Sequence, residues 1–122
     1  MSGVVLWGLA ALLGGAGAVA RVLTEHEVSL RWRHPFPAAR LVVNVLGSLV
    51  LGILSGAHVS GDALFLEATA TLGSFTTFSG WMAETERLGD AGRRDLAALN
   101  VGVSLAAGVV ALLLGRLIGG AF

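Results

Sequence analysis

Residues 3–20 and 96–115 form runs of eighteen and twenty residues without a charged side chain. A run of about 20 such residues is what a helix needs to cross the hydrocarbon core of a bilayer. In hydrocarbon the backbone must satisfy its own hydrogen bonds, which a helix does within one segment. The rest of the chain agrees: 55% of its 122 residues are hydrophobic and 13% are charged, against roughly 25% charged in soluble domains. The expectation is one all-α integral membrane domain over residues 1–122, with four transmembrane helices at about 3–23, 38–57, 63–88 and 96–118.

Composition also removes several function classes. There is no cysteine, so disulfides, thiolate metal sites and a cysteine nucleophile are excluded. All eight basic residues are arginine and the formal charge is zero, which leaves no basic footprint for nucleic acid. A cleavable leader is a weak reading of the first run: no basic residue precedes it and three further apolar spans follow.

The third span is anomalous. Sixteen uncharged residues separate Glu67 from Glu84, yet only eight of them are hydrophobic. Its centre, residues 72–79, reads Leu-Gly-Ser-Phe-Thr-Thr-Phe-Ser, four hydroxyls and a glycine in eight residues. Polar, irregular backbone is tolerated at membrane depth only where protein or a water-filled cavity covers it. A broken third helix lining a site is therefore predicted.

Two other spans carry polar faces. Asn44, Ser48, Gly52 and Ser55 are four, four and three residues apart, on one side of a helix. Asn100, Ser104 and Gly108 repeat the spacing in the fourth span. The segments Asn44-Val-Leu-Gly-Ser48-Leu-Val-Leu-Gly52 and Asn100-Val-Gly-Val-Ser104-Leu-Ala-Ala-Gly108 agree at five of nine positions. An asparagine against lipid is costly, so both faces should point inward, as an interhelical seam or as the wall of a path. In the first span Gly14-Gly15-Ala16-Gly17-Ala18 places small residues four apart, which permits close helix approach. Arg21 is expected to snorkel from the end of that span.

Residues 24–37 read as a polar connection closed by Pro35 and Pro37, with Arg31 and Arg33 facing headgroups. His26 lacks a second ligand at helical spacing, and His58 reads as a solvated loop residue. Arg31, Arg33, Arg40, Arg87, Arg93 and Arg94 fall at one end of the four spans and Arg116 at the other. Basic residues favour the cytoplasmic side, so both termini are predicted outside.

A helix interrupted in mid-membrane offers two electrostatic ends. Its first half finishes in free carbonyls, which suit a cation; its second begins with free N–H groups, which suit an anion. Around the interruption lie the hydroxyls of Ser74, Thr76, Thr77 and Ser79, the amides of Asn44 and Asn100, and the ring edges of Phe75, Phe78 and Trp81. Such groups donate to a small hard anion.

Gly14-Gly15-Ala-Gly17-Ala18-Val-Ala-Arg21, Val43-Asn44-Val-Leu-Gly47-Ser48 and Gly73-Ser-Phe-Thr76-Thr77-Phe78-Ser79 resemble, in order, the signature blocks of the Fluc/CrcB fluoride channels. The resemblance implies a passive fluoride-selective channel without enzyme activity, exporting fluoride across the plasma membrane. It implies an antiparallel, dual-topology dimer with two pores and a structural Na+ at its centre. By position, the Gly73 and Thr76 carbonyls would hold the sodium and Asn44 would donate to fluoride. Phe78 would present a pore-lining ring edge. Thr77, Ser79 and Ser104 would be further polar rungs, with Arg21 interfacial and Glu84 at the pore approach.

The chain departs from the family pattern at Ser79-Gly80-Trp81, where Ser-Thr-Phe is usual, so Trp81 stands at a second pore phenylalanine. Ala70 stands where glycine is common and is expected to stiffen the first half-helix. The dimer partner is then either a second copy, in an antiparallel homodimer, or an oppositely oriented paralogue, in a heterodimer; the arginine bias suggests insertion in one orientation and so the paralogue. Alternatives are a non-conducting or half-conducting partner subunit and, less so, a small multidrug-type transporter, which needs a membrane-embedded carboxylate.

Overall fold

Ser2 starts the first helix, its Oγ accepting the Val5 N–H at 3.3 Å and satisfying one of the donors a helix start leaves free. The computed structural model describes residues 2–121, and among these all regular structure is helical. Helix α1 runs Gly3–Arg31, eight residues beyond the expected end of the first span. The supposed polar connection is therefore mostly helix. Neither proline nor glycine interrupts residues 19–31, and Arg31 pairs with Glu27 one turn back, the i,i+4 arrangement that supports exposed helix. The turn proper lies at residues 32–37, where Trp32 Nε1 donates to the Phe36 carbonyl at 2.7 Å and the Phe36 N–H to His34 Nδ1 at 3.0 Å.

Helix α2, Ala38–Gly56, follows. Residues 61–90 then divide into short pieces: α3 (Gly61–Leu64), a π-helix (Phe65–Leu72), α4 (Gly73–Phe75) and α5 (Phe78–Asp90). Thr76 and Thr77 between them are extended, with φ/ψ of −80°/162° and −144°/115°. The interruption is two residues long, narrower than the eight-residue stretch the composition marked. Ala70 does not enforce α geometry either, since the widened π turns contain it. Thr71 Oγ1 donates to the Leu66 carbonyl five residues back, at 2.8 Å. Local π geometry of this kind is a frequent companion of functional sites. A turn with Gly92 at φ 79° leads into α6, Arg94–Gly119.

Helices α1, α2 and α6 are long and apolar enough to cross a membrane. This is a helical membrane protein.

Packing is built on small residues. A Cβ added at Gly52 or Gly56 of α2 would overlap the carbonyl of Leu112 or Arg116 on α6. One at Gly115 or Gly119 of α6 would overlap that of Leu49 or Ile53. The two helices thus run parallel with backbones in contact, an approach that only small residues allow. Ser48 lies opposite Gly108, one turn out of step with the repeat seen in sequence, which aligned Ser48 with Ser104. Gly14 and Gly17 of α1, three residues apart, receive Ser74 and Thr71, while Gly15 faces open space. Large apolar side chains such as Val4, Leu12, Leu113 and Leu117 point outward.

Candidate functional site

The extended residues Thr76 and Thr77 are held from α2. Asn44 Oδ1 accepts the Thr77 N–H at 2.8 Å and its Nδ2 donates to the Thr77 carbonyl at 3.0 Å. That N–H would otherwise serve the Gly73 carbonyl four residues back, so the asparagine replaces one turn of helix at this point. The Thr76 carbonyl receives no N–H among the described residues. Thr77 Oγ1 accepts the Gly80 N–H at 3.0 Å and caps α5. The Thr76 methyl lies against Gly47, where a Cβ would overlap it. Glycine at 47 and asparagine at 44 thus admit and fix the interruption from one helix face.

Asparagine also ties α5 to α6. Asn100, 1% exposed, is the buried polar side chain among the described residues. Its Nδ2 donates to Thr85 Oγ1 at 2.9 Å and approaches the Trp81 carbonyl at 3.4 Å. In return Trp81 Nε1 donates to the Asn100 carbonyl at 3.1 Å. The indole N–H is spent on α6, and the ring meets Phe78 edge-on at 5.8 Å.

Two cavities flank this core. One of about 350 Å³ is lined by Asn44, Gly47, Gly73, Thr76, Thr77 and Phe78 among others. The second, about 300 Å³, passes between α2 and α6 along Asn44, Ser48, Ser104 and Gly108. Trp81 and Asn44 border both, and neither has a carboxylate in its wall. One turn before Asn44, Arg40 Nη1 donates to Glu84 Oε1 at 2.7 Å, and Arg87 reaches the same oxygen at 3.0 Å. A third cavity of about 230 Å³ lies there, bordered by Trp32, His34, Arg40 and Glu84.

The residues singled out in sequence are thus partly assembled. Asn44, Gly73, Thr76, Thr77 and Phe78 share the first cavity, and Ser104 joins Asn44 and Trp81 in the second. Ser79 is exposed and borders none of these three cavities. Arg21 stands ten residues before the end of α1 and has no ion-pair partner among the described residues. Glu84 is clamped by two arginines. Sequence reading placed Ser48 and Asn100 on polar faces without making them site residues, and assigned Arg40 no partner. The signal for Arg40 was present: it is four residues before Asn44, on the same helical face.

A family profile described as CrcB-like protein, Camphor Resistance (CrcB), matches residues 8–116. The chain belongs to the CrcB family. A CrcB relative in Mycolicibacterium paratuberculosis, named fluoride-specific ion channel FluC 2, is 41% identical over 116 residues, covering 95% of each chain. A protein of the same name in Mycobacterium tuberculosis is 41% identical over 113 residues, covering 93% of this chain and 90% of its own. In Rubrobacter xylanophilus, fluoride-specific ion channel FluC 1 is 46% identical over 99 residues, covering 80% of each. The two mycobacterial matches thus cover more than nine-tenths of this CrcB chain and the third four-fifths.

Proposed function

We propose that this chain is a subunit of a fluoride channel of the plasma membrane, passing fluoride passively out of the cytoplasm. The observation that carries the reading is the two-point hold of Asn44 on Thr77. It keeps polar backbone open beside cavities that contain amide and hydroxyl groups and no carboxylate. Asn44 Nδ2 has a second hydrogen free for an anion, and Phe78 and Trp81 offer ring edges next to it. The relatives' names support the choice of ion.

In this reading residues 61–90 form a fourth, interrupted span, and the chain works as one half of an antiparallel dimer. The carbonyls of Gly73 and Thr76 suit a structural sodium ion shared with the other half. They are uncharged oxygen donors, and the Thr77 N–H that would cover Gly73 is engaged by Asn44. The cation would offset the negative end of the first half-helix. The arginine-rich loops face the cytoplasm and both termini lie outside. An oppositely oriented relative is the favoured partner, and the numerals 1 and 2 in the relatives' names fit genomes holding more than one such chain.

A second reading, a partner subunit that conducts poorly, is favoured by Trp81 alone, whose ring borders both cavities. A proton-coupled drug transporter fits poorly, because those cavities lack a carboxylate and Glu84 is neutralised by arginines. Fluoride efflux from liposomes, measured for the chain alone and with its oppositely oriented relative, separates these. Efflux in either preparation that is lost with Asn44→Asp supports the channel; no efflux in either overturns it.

A further inference from the structure

The absence of a side chain at Gly80 has a physical counterpart in Arg40. A Cβ added at Gly80 would overlap Arg40 Nε, lie 3.0 Å from Arg40 Cδ and 2.8 Å from Thr77 Oγ1. The missing side chain is the seat of the guanidinium. In that seat Nε is buried without a hydrogen-bond partner. Nη1 is taken by Glu84. Nη2 has no partner among the described residues and is not buried, which leaves it the open donor of the group. The Arg40 side chain as a whole is 30% exposed and borders the third cavity.

Charge points the same way. Glu84, 14% exposed, is shared between Arg40 and Arg87, and no second carboxylate pairs with either arginine among the described residues. One positive charge of the cluster therefore stays uncompensated. An unpartnered buried donor on an arginine is unfavourable and needs an explanation. A structural staple between α2 and α5 would need only the Nη1–Glu84 bond. Arg40 also precedes Asn44 and Ser48 by one and two turns, so it ends the polar face of α2 on the arginine-rich side.

We propose that Arg40, seated on Gly80 and sharing Glu84 with Arg87, is an anion-recruiting site at the mouth of the polar path, taking small inorganic anions from the cytoplasmic side. It rests on the channel reading above. A guanidinium does not choose among small anions, so selection belongs to the narrower region around Asn44. The arginine raises the local anion concentration, an electrostatic effect that salt screens within about 10 Å at 0.1 M.

The test measures initial fluoride efflux against fluoride concentration, at low ionic strength and again with an impermeant salt added, in the preparation that conducts. Arg40→Gln should raise the half-saturating fluoride concentration about tenfold at low ionic strength, and the gap should close at high ionic strength. Arg40→Lys should recover most of the loss, because it keeps the charge. Glu84→Gln should move half-saturation the other way, because it removes the neutralising carboxylate. An Arg40→Gln defect that persists at high salt, or that Arg40→Lys shares in full, makes the residue a packing element and overturns the proposal. So does an unchanged Arg40→Gln curve. Absence of flux from the unaltered chain, alone and with its relative, is a different failure: it overturns the channel reading and this site with it.

Discussion

The Asn44 amide is bonded to both backbone groups of Thr77, at 2.8 Å through its oxygen and 3.0 Å through its nitrogen. A side chain of one helix thereby supplies what a missing helical turn would have supplied to another. The interruption is consequently a fixed part of the fold, since both backbone groups of Thr77 have a partner on α2.

Asn44→Asp tests this hold directly. A carboxylate still accepts the Thr77 N–H but cannot donate to the Thr77 carbonyl, and it places a negative charge beside the proposed anion path. Stability should fall by about 1–3 kcal/mol, read as a lower midpoint in thermal unfolding of the purified protein. Fluoride flux should disappear. Retained flux would sink the assignment of Asn44 to the path.

Gly47→Ala reaches the same interruption through packing. Its Cβ would displace the Thr76 methyl and with it the carbonyl proposed for sodium. If that proposal holds, the concentration of Na+ needed to maintain activity and the proposed dimer, titrated against an inert organic cation, should rise for this variant. If both proteins are indifferent to sodium, the cation is not structural.

The contact between α2 and α6 predicts a contrast between glycines. Gly52→Ala or Gly115→Ala drives a methyl into a facing carbonyl, and overpacking of this kind typically costs about 1–3 kcal/mol. Gly15→Ala enters open space and should change stability by no more than about 0.5 kcal/mol. Equal tolerance at all three positions would contradict the parallel, backbone-to-backbone packing.

Trp81→Phe keeps an aromatic ring at this position and removes the indole bond to the Asn100 carbonyl. The net loss in stability should be about 1 kcal/mol, with flux within about threefold of the parent because the indole N–H is already spent on α6. A rise in flux above about tenfold would show instead that the ring obstructs the path, and would favour the poorly conducting partner reading.

Sequence by itself determined the membrane class, the polar faces of α2 and α6, and the location of the anomaly. Each follows from local chemistry: long uncharged runs, four-residue spacing, and hydroxyls crowded into an apolar segment. The family blocks around Arg21, Asn44 and Thr76–Thr77 were legible for the same reason. The extension of α1 to Arg31 was missed, because polarity was read as loop where helix support came from the Glu27–Arg31 pair. Only the tertiary structure decided which groups meet. Ser48 faces Gly108 rather than Ser104, because backbone contact at Gly52 and Gly115 sets the register of parallel helices and a sequence repeat does not. Trp81 spends its N–H on Asn100 nineteen residues away. Arg40 reaches Glu84 forty-four residues away, across a gap that exists only because residue 80 is glycine. Such distant pairings depend on how helices dock, and docking depends on the shapes of several faces at once.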